Sequence, residues 1–349
     1  MFKKSCNRYV RATGCAMAAL VAALASWPAS LGAQTPEAFY KGRTVDLIIG
    51  YPPGGSNDVY ARAVSRHMGR YLPGNPTIVP RNMPGGGSLL AANHMYSVAP
   101  KDGGTIAIIS PTAALDEKLG NTAVRFEAGK FIWLGRISSS VNQIMVWGTQ
   151  PYTSWKDALT KEIKLAATGA GSTVSVYPTV LNNVLKTKFK LVMGYKGSGE
   201  AMLAMERGEM DGHSTSWEAL KSQHPGWLKD KTGRILVQFA LQRTPEMPDV
   251  PTAIEIAQTD EQKAILRAVL AATEVGKPVL TTPGVPADRV AALRQAFDKM
   301  VADPEFVAEF VKQGLDVEPM SGVALQKLVE EVANIAPALL AKVKANYGG

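Results

Sequence analysis

The order of apolar and polar positions predicts strands and helices in alternation along the chain. A short apolar run rich in β-branched residues, 45–49, is typical of a buried parallel strand. Apolar residues then recur at helical spacing from Tyr60 to Tyr71. Further strands are predicted at 77–79, 105–109, 164–167, 190–193 and 235–240. This alternation predicts an α/β fold with a parallel sheet, in which ligands collect at the carboxyl ends of the strands.

Glycine-rich loops follow several of these predicted strands. In GYPPGGSND, 50–58, the prolines stiffen the exit from the strand and the glycines let the backbone turn into a helix. The free N–H groups of a helix's first turn, together with the helix dipole, can hold a carboxylate or phosphate without a cationic side chain. Similar loops are MPGGGS at 83–88, TGAGSTVS at 168–175 and GYKGSGEA at 194–201. One Gly-Gly turn is typical of any βα connection, but the repetition indicates an anion site.

The first 33 residues have the parts of a secretory signal peptide. Four cations and no acid precede an apolar run at 15–27, and small residues lead to an expected cleavage after Ala33. The run is too short to span a bilayer, so we expect an exported, periplasmic protein. Cleavage lowers the formal net charge from +8 to +4. The remaining cations are scattered among acids, so no nucleic-acid partner is expected.

The residues that would support catalysis or metal binding are sparse. Cys6 and Cys15 both lie in the signal segment, so the mature chain has no thiolate. No two of the four histidines have metal-ligand spacing, and no metal site is expected. GGSND and GGSLL lack the last glycine of a G-x-S-x-G elbow, and Glu200 stands where a Walker loop requires Lys. GAGSTV lacks the third glycine of a dinucleotide loop. We expect neither an enzyme nor a cofactor, and a hydrolase using His213 as its base is the outside alternative.

Four motifs together carry a family resemblance. PPGGSND, NMPGGG, YKGSGEA and the PDVPT run at 248–252 resemble the extracytoplasmic solute receptors of the tripartite tricarboxylate transporter family, the Bug proteins. The resemblance covers the mature chain. It implies an α/β, two-lobed periplasmic-binding-protein fold of type II, with the ligand cleft between the lobes and closure by a hinge. The implied organisation is a signal peptide at 1–33, the first part of lobe 1 at 34–138, lobe 2 at 139–250, and a return to lobe 1 with C-terminal helices at 251–349.

The resemblance also implies the residues that hold a small organic carboxylate. The glycine-rich loops would bind one end of the ligand through backbone amides and hydroxyls, and Asp211 would lie near the other end. The implied ligand-binding residues are Pro53, Gly54, Gly55, Ser56, Asn57, Gly85, Gly86, Gly87, Ser88 and Ser110 in lobe 1, and Ser172, Thr173, Tyr195, Lys196, Gly197 and Asp211 in lobe 2.

Among the departures from the family pattern, two bear on the ligand end of the pocket. A polar, turn-rich segment at 212–216 follows Asp211, where the family commonly has an aromatic or aliphatic residue. Glu-Val-Gly at 274–276 stands where a Trp-Gly pair is usual. The sequence leaves open whether His213 and Trp217 line the pocket.

The implied role is a monomeric receptor that captures a carboxylate and delivers it to the membrane permease subunits of a tripartite transporter. A ligand sensor that docks on a signalling partner fits the same residues. The sequence leaves the choice between these roles, and the identity of the acid, open.

Overall fold

The computed structural model describes residues 34–348, and the predicted signal peptide lies outside the described residues. The strands are β1 Thr44–Ile49, β2 Thr77–Asn82, β3 Thr105–Ile108, β4 Ile132–Arg136, β5 Asn142–Trp147, β6 Ile163–Ala166, β7 Phe189–Val192, β8 Gly212–Ser216, β9 Gly233–Phe239, β10 Pro278–Thr281 and β11 Met320–Ser321. The α-helices are α1 Pro36–Tyr40, α2 Ser56–His67, α3 Leu89–Ser97, α4 Ala113–Lys118, α5 Asp157–Thr160, α6 Thr173–Leu185, α7 Ser198–Glu206, α8 Trp217–Gln223, α9 Gly226–Lys229, α10 Asp260–Leu270, α11 Ala272–Val275, α12 Ala287–Val301, α13 Pro304–Val311, α14 Gly322–Ala333 and α15 Pro337–Tyr347.

Lobe 1 is built on a six-stranded sheet in the order β11-β4-β10-β3-β1-β2. β1 pairs in parallel with β2 and β3, whereas β10 runs antiparallel between β3 and β4. Alternate residues of β1 pack into two different cores: Leu47 lies in one with Tyr60 and Phe297, and Ile48 lies in the other. Because β1 is buried on both faces, its sequence is an almost continuous apolar run.

Lobe 2 is built on a five-stranded sheet in the order β7-β6-β8-β5-β9. β6 pairs in parallel with β7 and β8, and β5 runs antiparallel between β8 and β9. All five residues of β8 are buried, although the polar sequence GHSTS predicts a turn-rich segment. The prediction was wrong at this strand because its polar side chains lie inside the lobe instead of facing water.

The chain crosses between the lobes along two extended segments that are hydrogen-bonded to each other. The outgoing crossing joins β4 to β5, and the return crossing leads into β10. Ile137 N–H donates to the Lys277 carbonyl at 3.0 Å, and Lys277 N–H donates to the Ser138 carbonyl at 2.9 Å. Ser140 N–H donates to the Thr273 carbonyl at 3.0 Å. We call this pair of segments, 137–141 and 273–277, the paired crossing.

The C-terminal part of the chain, on either side of the return crossing, contacts both lobes. β10 and β11 join the sheet of lobe 1, whereas α10 and α15 pack against α6 of lobe 2. Asn183 Nδ2 donates to the Asn346 carbonyl at 2.9 Å, and Gln262 Nε2 donates to the Val184 carbonyl at 3.0 Å. Within residues 34–348, none of the helices combines the length and the apolar character that spanning a membrane requires.

Candidate ligand-binding cleft

A cavity of about 760 Å³ lies between the two lobes. Its walls are the loops after β1, β2 and β3 of lobe 1 and after β6 and β7 of lobe 2, and its floor includes the paired crossing. Most of the residues predicted from sequence line it, namely Pro53, Gly54, Gly55, Ser56, Asn57, Gly85, Gly86, Gly87, Ser88, Ser172, Thr173, Tyr195, Lys196 and Gly197. Ser110 and Asp211 are not among the lining residues.

The first lobe-1 loop leads directly into α2. Gly55 is the N-cap residue, and it has no side chain that could accept a hydrogen bond from the helix amides. The first amides of α2 are therefore left for another acceptor. The Gly54 amide is already used, because it donates to Asp58 Oδ2 at 2.9 Å. Burial raises the pKa of Asp58, but hydrogen bonds from Arg62, Asn82 and Gly54 outweigh it and hold that pKa below its usual value. Asp58 therefore shapes the loop and reduces the number of amides available to a ligand.

The second lobe-1 loop has an unusual run of left-handed backbone. Gly85, Gly86, Gly87 and Ser88 have φ of 154°, 57°, 68° and 84°, a region that favours glycine. Ser88 is buried, and its Oγ accepts a hydrogen bond from Ser110 N–H at 3.0 Å. The loop is thereby fixed to the end of β3.

Ser110 supports the cleft from behind instead of lining it. Its own Oγ is 2.8 Å from Thr112 Oγ1, and only 3% of the residue is exposed. Both its amide and its hydroxyl are used within lobe 1, so the structure does not place Ser110 with the predicted residues that line the cavity.

Lobe 2 presents two further helix N-termini to the cavity. Ser172 is the N-cap residue of α6, and Gly197 is the N-cap residue of α7. Ser172 Oγ lies 2.6 Å from Thr168 Oγ1 and donates to the Gly169 carbonyl at 2.8 Å. Because this hydroxyl is held in the loop, it does not cap the first amides of α6.

The two lobes touch along the rim of the cavity. Ser56 Oγ and Ser216 Oγ are 3.0 Å apart, and Gln223 Nε2 donates to the Gly54 carbonyl at 2.8 Å. A Cβ atom on Gly87 would lie 2.2 Å from the carbonyl carbon of Gly171. The lobes are therefore closed on each other, with backbone against backbone at one point.

Asp211 lies at the other end of the lobe-2 sheet. Its Oδ2 accepts from Lys164 N–H at 2.8 Å and from Tyr152 Oη at 3.4 Å. Lys164 is near the start of β6, whereas the loop that lines the cavity follows the end of β6. The structure thus places Asp211 at the amino end of β6, which its carboxylate secures, and not with the predicted residues that line the cavity.

His213 and Trp217 do not line the cavity either. His213 is fully buried in β8, and its Nδ1 is 2.8 Å from the Ala166 carbonyl oxygen. Burial lowers the pKa of His213 to about 4, and the Ala166 carbonyl opposes this only in part. In the described chain no serine hydroxyl is hydrogen-bonded to this ring, which is the contact that a serine hydrolase requires. Trp217 Nε1 donates to Glu246 at the side of lobe 2.

Sequence reasoning also left out several residues of the cavity wall and floor, among them Tyr51, Ser140, Asn142, Ser216 and Lys277. Most of them lie at the paired crossing or at the end of β8, far from any glycine-rich loop. One signal was available, because Lys277 interrupts an otherwise apolar stretch at 275–280.

One cluster elsewhere has the residue types of a metal site. Ligand atoms of His67, Asp303 and Glu305 lie within 4.8 Å of one another. Arg70 lies among them, with Nη2 2.6 Å from Asp303 Oδ2 and Nη1 2.8 Å from Glu305 Oε2. The arginine supplies the positive charge that these carboxylates need, so the cluster is an ion-pair network joining α2 to α13.

A two-lobed α/β chain whose helix N-termini converge on a cavity between the lobes has the architecture of the periplasmic solute-binding proteins. The family model described as "Tripartite tricarboxylate transporter family receptor" matches residues 60–344. The chain belongs to this family, as the sequence resemblance predicts.

The chain is also similar to individual proteins. A protein from Pseudomonas sp. strain P51, the "UPF0065 protein in tcbD-tcbE intergenic region", is 26% identical over 301 residues and covers 83% of each chain. Protein BugT from Bordetella pertussis is 24% identical over 309 residues, covering 85% of this chain and 89% of BugT.

Solved structures share the fold. The periplasmic binding protein BugD has a TM-score of 0.71 at 21% identity, covering 88% of this chain and 99% of BugD. MatC from Rhodopseudomonas palustris, solved with bound malate, has a TM-score of 0.68 at 22% identity, covering 86% and 99% of the two chains. Another R. palustris protein, solved with adipate, has a TM-score of 0.67 at 21% identity, covering 88% and 98%.

Proposed function

We propose that this chain is a periplasmic receptor that captures a small organic carboxylate between its lobes and delivers it to the permease subunits of a tripartite transporter. One observation carries the proposal: α2, α6 and α7, from both lobes, begin at the wall of a single cavity. The bound malate and adipate of the two R. palustris proteins support the same ligand class.

The charge around the cavity fits a receptor that binds an acid without catalysing a reaction of it. Helix N-termini attract an anion through backbone amides and the helix dipole. The charged side chains at the lobe-2 wall, Lys196 and Glu200, offset each other, and Glu200 Oε2 accepts the Lys196 amide at 2.7 Å. Binding would therefore depend mainly on backbone donors, and no bond in the ligand would be made or broken.

The proposed export to the periplasm rests on the predicted signal peptide, and the proposed permease partner rests on the family. An N-terminal signal peptide would export the chain to the periplasm. Closure on the ligand would give a permease a surface that differs from that of the open receptor, and so a way to recognise loaded receptor.

A thermal-shift screen tests the ligand class. The mature chain, 34–349, is denatured and refolded to remove carried-over ligand, and is then mixed with mono- and dicarboxylates. The matched controls are the corresponding amides, which have the same shape and no charge. At a hundredfold excess over Kd, one site adds about 2.7 kcal/mol to the free energy of unfolding, which raises Tm by several degrees. A rise for acids alone supports the proposal. A rise for amides or sugars but not for acids would overturn it.

A further inference from the structure

Lys277 places a buried cation at the floor of the cleft. It lies in the paired crossing, lines the cavity and is only 2% exposed. Its backbone is hydrogen-bonded in both directions to the outgoing crossing, so the start of its side chain is fixed. A lysine is rarely buried to this extent unless its ammonium group is paired.

The ammonium group of Lys277 is only partly satisfied by the protein. Nζ carries three N–H donors, and within residues 34–348 its one hydrogen-bond acceptor is Ser140 Oγ at 3.0 Å. The nearest carboxylate oxygen, Glu218 Oε2, lies 3.7 Å away, beyond hydrogen-bond length. The ring of Tyr60 is 6.0 Å from Nζ and supplies a weak contact. Donors of Nζ are thus left for an acceptor in the cavity.

Glu218 lies behind Lys277 rather than in the cleft. Glu218 is 5% exposed, it is not among the lining residues, and its Oε2 has no hydrogen-bond donor in the described chain. Its charge balances that of Lys277 when the cleft is empty, because a buried cation without a counter-charge is strongly unfavourable. Ser140, whose Oγ accepts from Nζ, itself lines the cavity, so the ammonium group lies next to the cleft floor with Glu218 on its far side.

We infer that Lys277 is a specificity-determining residue, whose ammonium group binds an oxygen at the second end of the ligand. The inference rests on the proposed function, in which the helix N-termini hold the first carboxylate. The ligand is then an acid with a second oxygen acceptor, either a carboxylate or a hydroxyl, and not a simple aliphatic monocarboxylate. An acid of the latter kind would bury a methyl group against the ammonium and leave its donors unpaired.

Chain-matched acids test this role by calorimetry. The probes are succinate, 4-hydroxybutyrate and butyrate, together with adipate, 6-hydroxyhexanoate and hexanoate for a longer ligand. The variant is Lys277→Met combined with Glu218→Gln, which removes both charges together and leaves no unpaired buried carboxylate. Lys277→Gln alone is the second variant, to be used if the double variant does not fold. Lys312→Met, at an exposed position, controls for the loss of one positive charge.

The measured quantity is a ratio of dissociation constants. It compares the Kd for the monocarboxylate with the Kd for the diacid, or for the hydroxy acid, of the same chain length. For the wild type we expect a ratio of at least about ten, the factor set by one charge-assisted hydrogen bond, and a fall to about one in the Lys277 variants. A fall for the diacid only assigns the second oxygen to a carboxylate, and a fall shared by the hydroxy acid assigns it to any oxygen acceptor. A wild-type ratio near one, or a ratio unchanged in the variants, would overturn the inference while acid binding itself persists. If the wild type binds none of these acids and no other carboxylate, it is the proposed function that fails.

Discussion

Ser56 and Ser216 are 160 residues apart in the chain, yet their Oγ atoms are 3.0 Å apart across the two lobes. Ser56 begins α2 of lobe 1, and Ser216 ends β8 of lobe 2. The hydrogen bond between them exists only when the lobes are closed. It therefore adds to the free energy of closure and, through closure, to ligand affinity.

Replacing either serine by alanine should weaken binding of the preferred acid by about two- to tenfold, the value of one buried hydrogen bond. Ser216 Oγ also accepts from Ala219 N–H at 3.2 Å as the cap of α8, so Ser216→Ala should in addition lower the free energy of unfolding by about 1 kcal/mol. A double-mutant cycle on Kd separates the two effects. If the contact matters, the double variant binds about as well as the weaker single variant, and additive losses would argue against it.

Gly87→Ala should hinder closure. The added Cβ would lie 2.2 Å from the carbonyl carbon of Gly171 in the other lobe, where only backbone could give way. Gly86→Ala is the matched control, because the backbone conformations are similar, with φ of 57° at Gly86 and 68° at Gly87. A Cβ atom on Gly86 would contact only Leu89 of the same lobe, at 3.5 Å. Both variants carry the same backbone cost, about 1 kcal/mol.

Calorimetry with the preferred acid should show at least about tenfold greater weakening for Gly87→Ala than for Gly86→Ala, equivalent to about 1.4 kcal/mol. Small-angle scattering should show that ligand compacts the control and not the Gly87 variant. Equal affinities in the two variants would mean that the lobes do not meet at this point in the bound state.

Asp116 should make the protein less stable as pH rises. This carboxyl is 1% exposed, and burial raises its pKa from 3.8 to about 6, with a hydrogen bond from Thr112 opposing the rise. Between these two values the folded state holds more protons than the unfolded chain, so stability falls as pH rises through this window. Asp116→Asn removes the titration and keeps an acceptor for Thr112. It should raise the free energy of unfolding by up to about 3 kcal/mol above the window and by almost nothing below it.

Urea unfolding of the wild type and Asp116→Asn at about pH 4 and about pH 7.5 measures this difference. Comparing the two proteins at each pH cancels other titrations, including that of His213, whose lowered pKa makes stability fall as pH falls. A stability difference that is the same at both pH values would mean that the pKa of Asp116 is not raised in the folded state.

Asp211→Asn should change stability and leave binding almost unaltered. The carboxylate accepts from Lys164 N–H and Tyr152 Oη at the amino end of β6, away from the cavity. Losing the charge in these hydrogen bonds should lower the free energy of unfolding by about 1–2 kcal/mol. The Kd for the preferred acid should stay within about twofold of the wild-type value. A tenfold rise in Kd would instead indicate that Asp211 contacts the ligand.

The glycine-rich loops could be predicted from sequence because their signal is local: an apolar strand, a flexible turn and a helix start within ten or so residues. The floor of the cleft could not, because Ser140 and Lys277 come together over a separation of 137 residues through the pairing of two crossings. Asp211 was expected near the ligand from the family resemblance alone. The polar segment after it forms the buried strand β8, which puts Asp211 at the end of that strand away from the cavity.

The use of backbone N–H groups in the cavity wall has an evolutionary consequence. A point mutation replaces a side chain but leaves the amide of every residue except one changed to proline. A duplicated gene for such a receptor could therefore accumulate substitutions at Lys277, Asn142 or Tyr51 and drift toward new acids. The descendants would keep the helix N-termini that bind the carboxylate common to all the ligands. A new specificity would therefore require few substitutions, and the intermediate receptors would still bind an acid.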